Sequence, residues 1–148
     1  MKKNKGFTLL ELLVVISIIG ILMAIGTVSF TTAQRKSRDS RRRGDMKAIQ
    51  KALEQCYAVD GSYLDELPDG GSVMSCTGQT VMEVVPVDPK NSDPYEYDDD
   101  SYSYDEDNDK YCLCALLEVT DGGNASAAGA GGSCTFGAGT YYCVSNQQ

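Results

Sequence analysis

A predominantly apolar stretch extends from Phe7 to Phe30 and contains a single carboxylate, Glu11. As a helix this stretch is about 36 Å long, at about 1.5 Å per residue, which is enough to cross a hydrocarbon core of about 30 Å. The pattern therefore predicts a membrane-spanning helix over residues 7–30. Glu11 does not fit an ordinary anchor, because a charged side chain costs about 2.5–3.5 kcal/mol at the centre of such a helix.

After Gln34 the hydrophobic positions follow the period of an amphipathic helix. They form a single stripe at spacings of three, four, three and one residues: Met46, Ile49, Leu53, Cys56 and Tyr57. We expect this stripe to pack on a small sheet. The helix should end near Asp60 and Gly61, because glycine tolerates the positive φ that often follows a helix.

The segment between the apolar run and this stripe, "RKSRDSRRRGD", is polar on every side. A segment of this kind is usually a solvated helix face. It also offers cations to anionic lipid head groups, or to the acidic C-terminal part of neighbouring copies of the chain.

Further along the chain, "YEYDDDSYSYDEDNDKYCLCALLEV" predicts two strands separated by an acidic turn. Apolar side chains alternate with others on both sides of the turn: Tyr102, Tyr104, Tyr111, Leu113, Ala115 and Leu117. All four prolines lie between Pro68 and Pro94, which predicts a connecting loop with little regular structure. The expected fold class is α+β, with a long N-terminal helix packed on a small antiparallel sheet.

Charge is distributed unevenly along the chain. Residues 52–148 contain two basic and eighteen acidic residues, so this part would repel phosphates and we expect no direct nucleic-acid binding by it. The chain has no histidine, and its carboxylates crowd in a turn, so we expect no enzymatic activity. One observation opposes an orientation with the residues after the apolar run outside the membrane: the far flank of this run carries more Lys and Arg than the near flank, against the positive-inside rule.

Six cysteines in a chain with a membrane or export signal favour an oxidising compartment, where disulfides stabilise small domains. Cys112 and Cys114 share one strand face and are poor partners for each other. They can pair with Cys134 and Cys143, although those two can also close a loop within the glycine-rich tail. The remaining candidates, Cys56 and Cys76, would tie the connecting loop to the helix. Zinc is disfavoured because the chain has no histidine and no C-x-x-C spacing.

The acidic turn makes calcium the one candidate cofactor. Asp105, Asp107 and Asp109 present carboxylates at alternating positions. The turn does not match an EF-hand, because Lys110 occupies the position of the invariant glycine and Leu116 that of the bidentate glutamate. A calcium site and a solvated hairpin turn therefore remain as alternatives.

The N-terminal sequence "KGFTLLELLVVISIIGILMAIG" resembles that of type IV pilins and pseudopilins. In that family a short basic leader ends at a glycine, here Gly6, and the methylated first residue of the mature chain follows, here Phe7. The segment "GSYLDELP" after the helix is also similar to pilins. The resemblance implies cleavage after Gly6 by a prepilin peptidase and assembly into a filament through the apolar helix, with Phe7 and Glu11 as assembly residues.

Such cleavage gives Glu11 a role. The new α-ammonium of Phe7 would lie about one helical turn from Glu11, and a neighbouring subunit shifted along the axis would bring its own ammonium alongside the carboxylate. An apolar medium strongly disfavours leaving either charge alone. Glu11 would therefore set the register of subunit packing.

The resemblance also implies an organisation and a location. We expect a leader over residues 1–6, a transmembrane or filament-core helix over 7–30, an amphipathic helix over 31–58, and a disulfide-containing extracytoplasmic pilin head over 59–148. The expected partners are further copies of the chain, other pilins, the peptidase, an inner-membrane assembly platform, and the membrane before assembly. The chain would be a single-pass precursor in the cytoplasmic membrane and then part of an extracellular pilus at the cell surface, with family roles in adhesion, motility or DNA uptake.

Two other interpretations stay open. The chain could be a pseudopilin of a type II secretion machine, because "PVDPKNSDPYEY" faintly resembles the loop before the calcium site of major pseudopilins. The six cysteines and the long glycine-rich tail count against that interpretation. The chain could also be a membrane-tethered monomeric binding domain that never assembles.

Overall fold

The computed structural model describes residues 6–97 and 101–147. Residues 1–5 of the predicted leader, and residues 98–100 and 148 of the predicted head, lie outside the described ranges. Within the described ranges the elements are one helix and five strands: α1 (Leu9–Asp60), β1 (Met74–Cys76), β2 (Gln79–Met82), β3 (Tyr102–Asp105), β4 (Lys110–Leu116) and β5 (Tyr141–Ser145).

The chain divides into two units, the first of which ends at Arg35. In this unit the apolar side chains of α1 are exposed, with Leu9 83% and Val14 46% accessible. Within the part of the chain that the structure describes, α1 is the one helix long and apolar enough to cross a membrane by length and composition. An apolar helix surface that the protein itself leaves uncovered needs lipid or other helices around it.

The second unit begins at Lys36 and contains the hydrophobic core. Met46, Ile49 and Leu53 are fully buried and form one cluster with Tyr111 and Leu113 of β4. The predicted stripe therefore packs on the sheet, and the expected α+β class is confirmed.

The main sheet has the order β3-β4-β5, and both pairs of strands are antiparallel. Tyr104 lies opposite Tyr111, so β3 and β4 form the hairpin that the alternating pattern predicted. Helix α1 ends at Asp60, and the next residue, Gly61, has a φ of +76°. Its N–H donates to the carbonyl of Tyr57 at 2.8 Å, which satisfies one of the last helical acceptors.

The connecting loop is more regular than its prolines suggested. Strands β1 and β2 form a second, two-stranded sheet within it. The turn between them consists of Thr77 and Gly78, with φ values of +38° and +80°, and such two-residue turns match the twist of a hairpin. All four prolines lie outside these two strands, so they do not interrupt the pairing.

The basic segment 35–45 is only in part the solvated face that its composition indicated. Arg42 has no exposed surface, and Asp39 is 3% exposed. Both lie on the same side of α1 as Met46, because residues 39, 42 and 46 are three and four positions apart. The composition of the segment did not indicate this burial, because Arg42 pairs with Asp39 inside the segment and with Asp88 and Glu118 from other parts of the second unit.

Candidate functional site

The N-terminus of α1 is closed by hydrogen bonds between Thr8 and Glu11. The N–H and the hydroxyl of Thr8 donate to Oε2 of Glu11 at 2.9 and 2.8 Å, and the N–H of Glu11 donates to Oγ1 of Thr8 at 3.2 Å. This reciprocal pattern is a capping box, which satisfies N–H groups that the first turn of a helix leaves free. A threonine followed three residues later by a glutamate is the sequence signature of a capping box. This box at Thr8 and Glu11 was not predicted from the sequence.

Gly6, Phe7 and Glu11 are all exposed, and Phe7 is 86% accessible. The structure brings these three predicted site residues together at the start of α1. The carboxylate of Glu11 has Thr8 as its hydrogen-bonding partner. This end of the chain is therefore open to a partner, and replacing Glu11 would affect both a cap and a charge.

A second polar centre, which the sequence did not predict, surrounds the guanidinium of Arg42. Its Nε and Nη2 donate to the two carboxylate oxygens of Asp88 at 2.6 and 3.0 Å. Its Nη1 donates to Asp39 at 2.7 Å and to Glu118 at 3.1 Å. The centroid of the Tyr95 ring lies 4.6 Å from the guanidinium carbon. The centre joins α1 to the loop before β3 and to the segment after β4.

The three carboxylates around Arg42 have further donors. Asp39 accepts the N–H groups of Glu118 and Val119 at 2.9 and 3.0 Å. Asp88 accepts the N–H of Lys90 at 2.7 Å, and Glu118 accepts two hydrogen bonds from Arg38 at 2.5 and 2.7 Å. Buried charges are tolerated when they are paired and fully hydrogen-bonded, and each carboxylate here has at least three such bonds.

The protonation states follow from these contacts. Burial acts to lower the pKa of Arg42, but its hydrogen bonds to Asp88 and Asp39 outweigh burial and raise the pKa. The hydrogen bond from Arg38 lowers the pKa of Glu118 to about 2, against burial, which raises it. Arg42 and Glu118 are therefore charged at neutral pH. The periodicity of Asp39, Arg42, Met46 and Ile49 was the available signal that Arg42 faces the core.

The six candidate cysteines form three disulfides in the structure: Cys56–Cys76, Cys112–Cys134 and Cys114–Cys143. The first ties α1 to β1. The other two tie β4 to the tail and to β5, which is one of the two arrangements that the sequence left open. The sulfurs of the two bridges lie side by side, with Sγ of Cys112 and Sγ of Cys114 3.5 Å apart.

The tail before β5 is held by its backbone and by one amide side chain. Asn124 donates from Nδ2 to the carbonyl of Cys143 at 2.9 Å and accepts the N–H of Cys143 at 2.7 Å. Both ends of its amide are therefore used within the fold. This contact fixes the tail to β5 in a segment that has few large apolar side chains.

The acidic turn uses two of its carboxylates, those of Asp105 and Asp109, for its own structure. Asp105 accepts hydrogen bonds from the N–H of Asp107 at 3.1 Å and from the amide of Asn108 at 2.8 Å. Asp109 accepts one from the hydroxyl of Tyr104 at 3.0 Å. Among the described residues, the one group of side chains close enough to share a metal ion is four cysteines, and all four are in disulfides. Calcium at the turn stays a sequence prediction that this geometry does not support.

Comparison with known proteins links the N-terminal segment to a described motif. Residues 1–27 match the family model of the prokaryotic N-terminal methylation motif. The type IV major pilin protein PilA of Myxococcus xanthus is 38% identical over 63 residues, which cover 43% of this chain and 29% of that protein. The prepilin peptidase-dependent protein D of Escherichia coli is 42% identical over 72 residues, covering 49% of this chain and 48% of that protein. The chain thus spans less than half of the length of these two relatives.

A longer match extends into the head. The type II secretion system core protein G of Pseudomonas aeruginosa is 30% identical over 107 residues, which cover 65% of this chain and 74% of that protein. No solved structure matches the chain. These three relatives are named as a pilin, a prepilin peptidase-dependent protein and a secretion-system core protein, and none of the names describes an enzyme. The chain belongs to the family of type IV pilins and pseudopilins.

Proposed function

We propose that the chain is the subunit of a type IV pilus-like filament. It is stored in the cytoplasmic membrane as a single-pass precursor and polymerises at the cell surface. The observation that carries the proposal is the uncovered apolar surface of residues 7–30, which contains Glu11 at its start and belongs to a chain of this family. Lipid covers this surface in the precursor, and the helices of neighbouring copies cover it in the filament.

Processing prepares the subunit for assembly. A prepilin peptidase removes residues 1–6, so that Phe7 becomes the methylated first residue, and an inner-membrane platform adds the subunit to the growing filament. Residues 7–30 then form the filament core, 31–58 the amphipathic helix, and 59–148 the outer head. The α-ammonium of Phe7 pairs with Glu11 of a neighbouring copy, because both charges would otherwise be isolated in an apolar core.

Two substitutions at the start of α1 separate the charge of Glu11 from its role in the cap. Glu11→Gln retains a capping box, in which glutamine replaces glutamate, but removes the charge. Thr8→Val removes the cap and retains the charge. The proposal predicts that Glu11→Gln abolishes filaments in sheared surface preparations while Thr8→Val lowers their amount only modestly. Normal filaments from Glu11→Gln would exclude the charge-pairing mechanism.

A type II secretion pseudopilin is the second candidate. The match that extends into the head is to a secretion-system core protein, which supports this candidate. The two candidates differ in where the polymer ends: a pilus extends from the surface and can be sheared off, whereas a pseudopilus stays within the envelope. Deleting the coding sequence and measuring both sheared surface filaments and secreted proteins distinguishes them.

A monomeric, membrane-tethered binding domain is the third candidate. Such a tether would tolerate Glu11→Leu, because leucine is more favourable than a carboxylate inside a membrane helix. A filament subunit would fail to assemble with the same substitution. Roles in adhesion, motility or DNA uptake belong to the filament as a whole, and assays of each with the deletion strain would select among them.

A further inference from the structure

Helix α1 presents a face of small and basic side chains on the side opposite its buried stripe. The members of this lysine face are spaced three or four residues apart and are all exposed: Lys36, Ser40, Gly44, Lys47, Lys51 and Gln55. The face contains three cations and no carboxylate. A Cβ added at Gly44 would meet nothing within 4 Å, so the middle of the face is open.

The lysines of this face have no acidic partner within the described part of the chain. The ion pairs found there use Arg38, Arg41 and Arg42 as cations. Glu54, three residues after Lys51, accepts hydrogen bonds from the hydroxyl of Tyr111 and from the N–H of Gln147, each at 3.1 Å. It is therefore occupied by the head, and the charges of Lys47 and Lys51 are left for solvent or for a partner.

The head of the same protein offers the complementary charge. Residues 52–148 contain eighteen acidic and two basic residues. Several of the acids are exposed and take part in no ion pair among the described residues: Asp65, Glu66, Asp69, Glu83, Glu106 and Asp107. A second copy of the chain thus presents an acidic surface to which a basic face is attracted.

We propose that the lysine face docks on the acidic head of a second copy, with Lys47 and Lys51 forming ion pairs between subunits. The inference rests on the proposed filament and adds a contact outside its apolar core. Exposed ion pairs are individually weak. Their effect is to favour one register and to speed association, whereas apolar burial holds the filament together.

Carbodiimide cross-linking of intact sheared filaments tests this contact. The reagent takes up water as an amide bond forms between a lysine Nζ and a carboxylate, and it joins only groups in direct contact. Covalent dimers are separated by denaturing electrophoresis and their cross-linked peptides are mapped by mass. We expect Lys47 or Lys51 joined to an acidic residue of the head in the dimers. Dimers that lack such peptides, in filaments that are otherwise intact, would refute this inference and leave the proposed function standing.

Substitutions provide a second readout. Lys47→Gln with Lys51→Gln is expected to lower the yield of filaments roughly two- to tenfold, given the strength of two exposed ion pairs. Lys47→Arg with Lys51→Arg should keep the yield and lose the cross-link, since arginine keeps the charge but is not a primary amine. The matched control, Lys90→Gln with Lys110→Gln, removes two cations elsewhere and should assemble normally.

The remaining outcomes overturn the inference. If the variant with Lys47→Gln and Lys51→Gln forms as many filaments as the control, the lysine face makes no contact between subunits. If these two substitutions instead weaken binding of the precursor to phosphatidylglycerol vesicles and leave the yield of filaments unchanged, the lysine face contacts lipid. If the unaltered chain forms no filaments at all, the proposed function fails, and this inference fails with it.

Discussion

Arg42 carries a positive charge at a place in the second unit that water does not reach. Taking a guanidinium out of water costs several kcal/mol, and only well-placed anions return that energy. Asp88 accepts hydrogen bonds from Nε and Nη2 of Arg42, and Asp39 and Glu118 both accept from its Nη1. These residues come from three separate parts of the second unit, so Arg42 helps to fix their relative positions.

Arg42→Met is therefore expected to destabilise the head by about 3–5 kcal/mol, because it leaves buried carboxylates without their cation. The measurement is urea unfolding of the full chain in detergent, followed by the fluorescence of its nine tyrosines. Arg41→Met is the control, since the side chain of Arg41 is 62% exposed and 3.8 Å from Asp45. The control should lose less than about 1 kcal/mol. Equal losses from both variants would mean that the network around Arg42 is not a source of stability.

The same network gives the head a defined sensitivity to acid. Hydrogen bonds from Arg38 and, to a smaller extent, from Arg42 lower the pKa of Glu118 from 4.5 to about 2 in the folded state. A lowered pKa contributes stability that is complete above the unfolded value and is lost as the pH falls toward the folded one. We expect the free energy of unfolding to decrease from about pH 4.5 to about pH 2, and Glu118→Gln to reduce this decrease. An unchanged pH profile in the variant would assign the acid sensitivity to other carboxylates.

At the scale of elements, the tail from residue 117 to 140 is held in place by backbone contact as well as by disulfides. A Cβ at Gly123 would overlap the carbonyl of Tyr141, and one at Gly139 would overlap the carbonyl of Ala125. The N–H of Gly123 donates to the carbonyl of Gly139 at 2.9 Å. Glycine at these positions lets the backbone of the tail lie directly against β5. The tail has few large apolar side chains, and these alone could not hold it there.

Gly123→Ala is expected to destabilise the head by about 1–3 kcal/mol, because the backbone must move apart to admit the methyl group. Gly137→Ala is the matched control, since a Cβ there meets nothing within 4 Å. The control should stay within about 0.5 kcal/mol of the unaltered protein in the same urea titration. A neutral Gly123→Ala would show that the tail does not pack closely on β5.

Periodicity predicted the elements that bury a continuous apolar face and missed those held by polar contacts or turns. The stripe from Met46 to Cys56 and the hairpin of β3 and β4 followed from spacing, since side-chain burial decides them. The hairpin of β1 and β2 depends on the turn at Thr77 and Gly78, a weak signal among prolines. Helix periodicity could have placed Asp39 and Arg42 on the buried side of α1, but Asp88 and Glu118 are 46 and 76 residues from Arg42 and no local pattern brings them to it.

At the scale of the whole molecule, the two units have opposite surfaces. The first exposes apolar side chains around a single carboxylate, and the second encloses its own core behind an acidic surface with three disulfides. The apolar surface of the first unit must be covered by other molecules, whereas the second unit buries its own apolar core. In the proposed function, membrane before assembly and neighbouring helices afterwards provide that covering, and Glu11 lies beside a terminus created by cleavage.

The most direct test of this account is the intact mass and N-terminal residue of the chain isolated from sheared surface fibres of the native cell. The account predicts a chain that begins with methylated Phe7 and lacks residues 1–6. A chain that is absent from the fibres, while its full-length form with Met1 stays dispersed in the membrane, would contradict it.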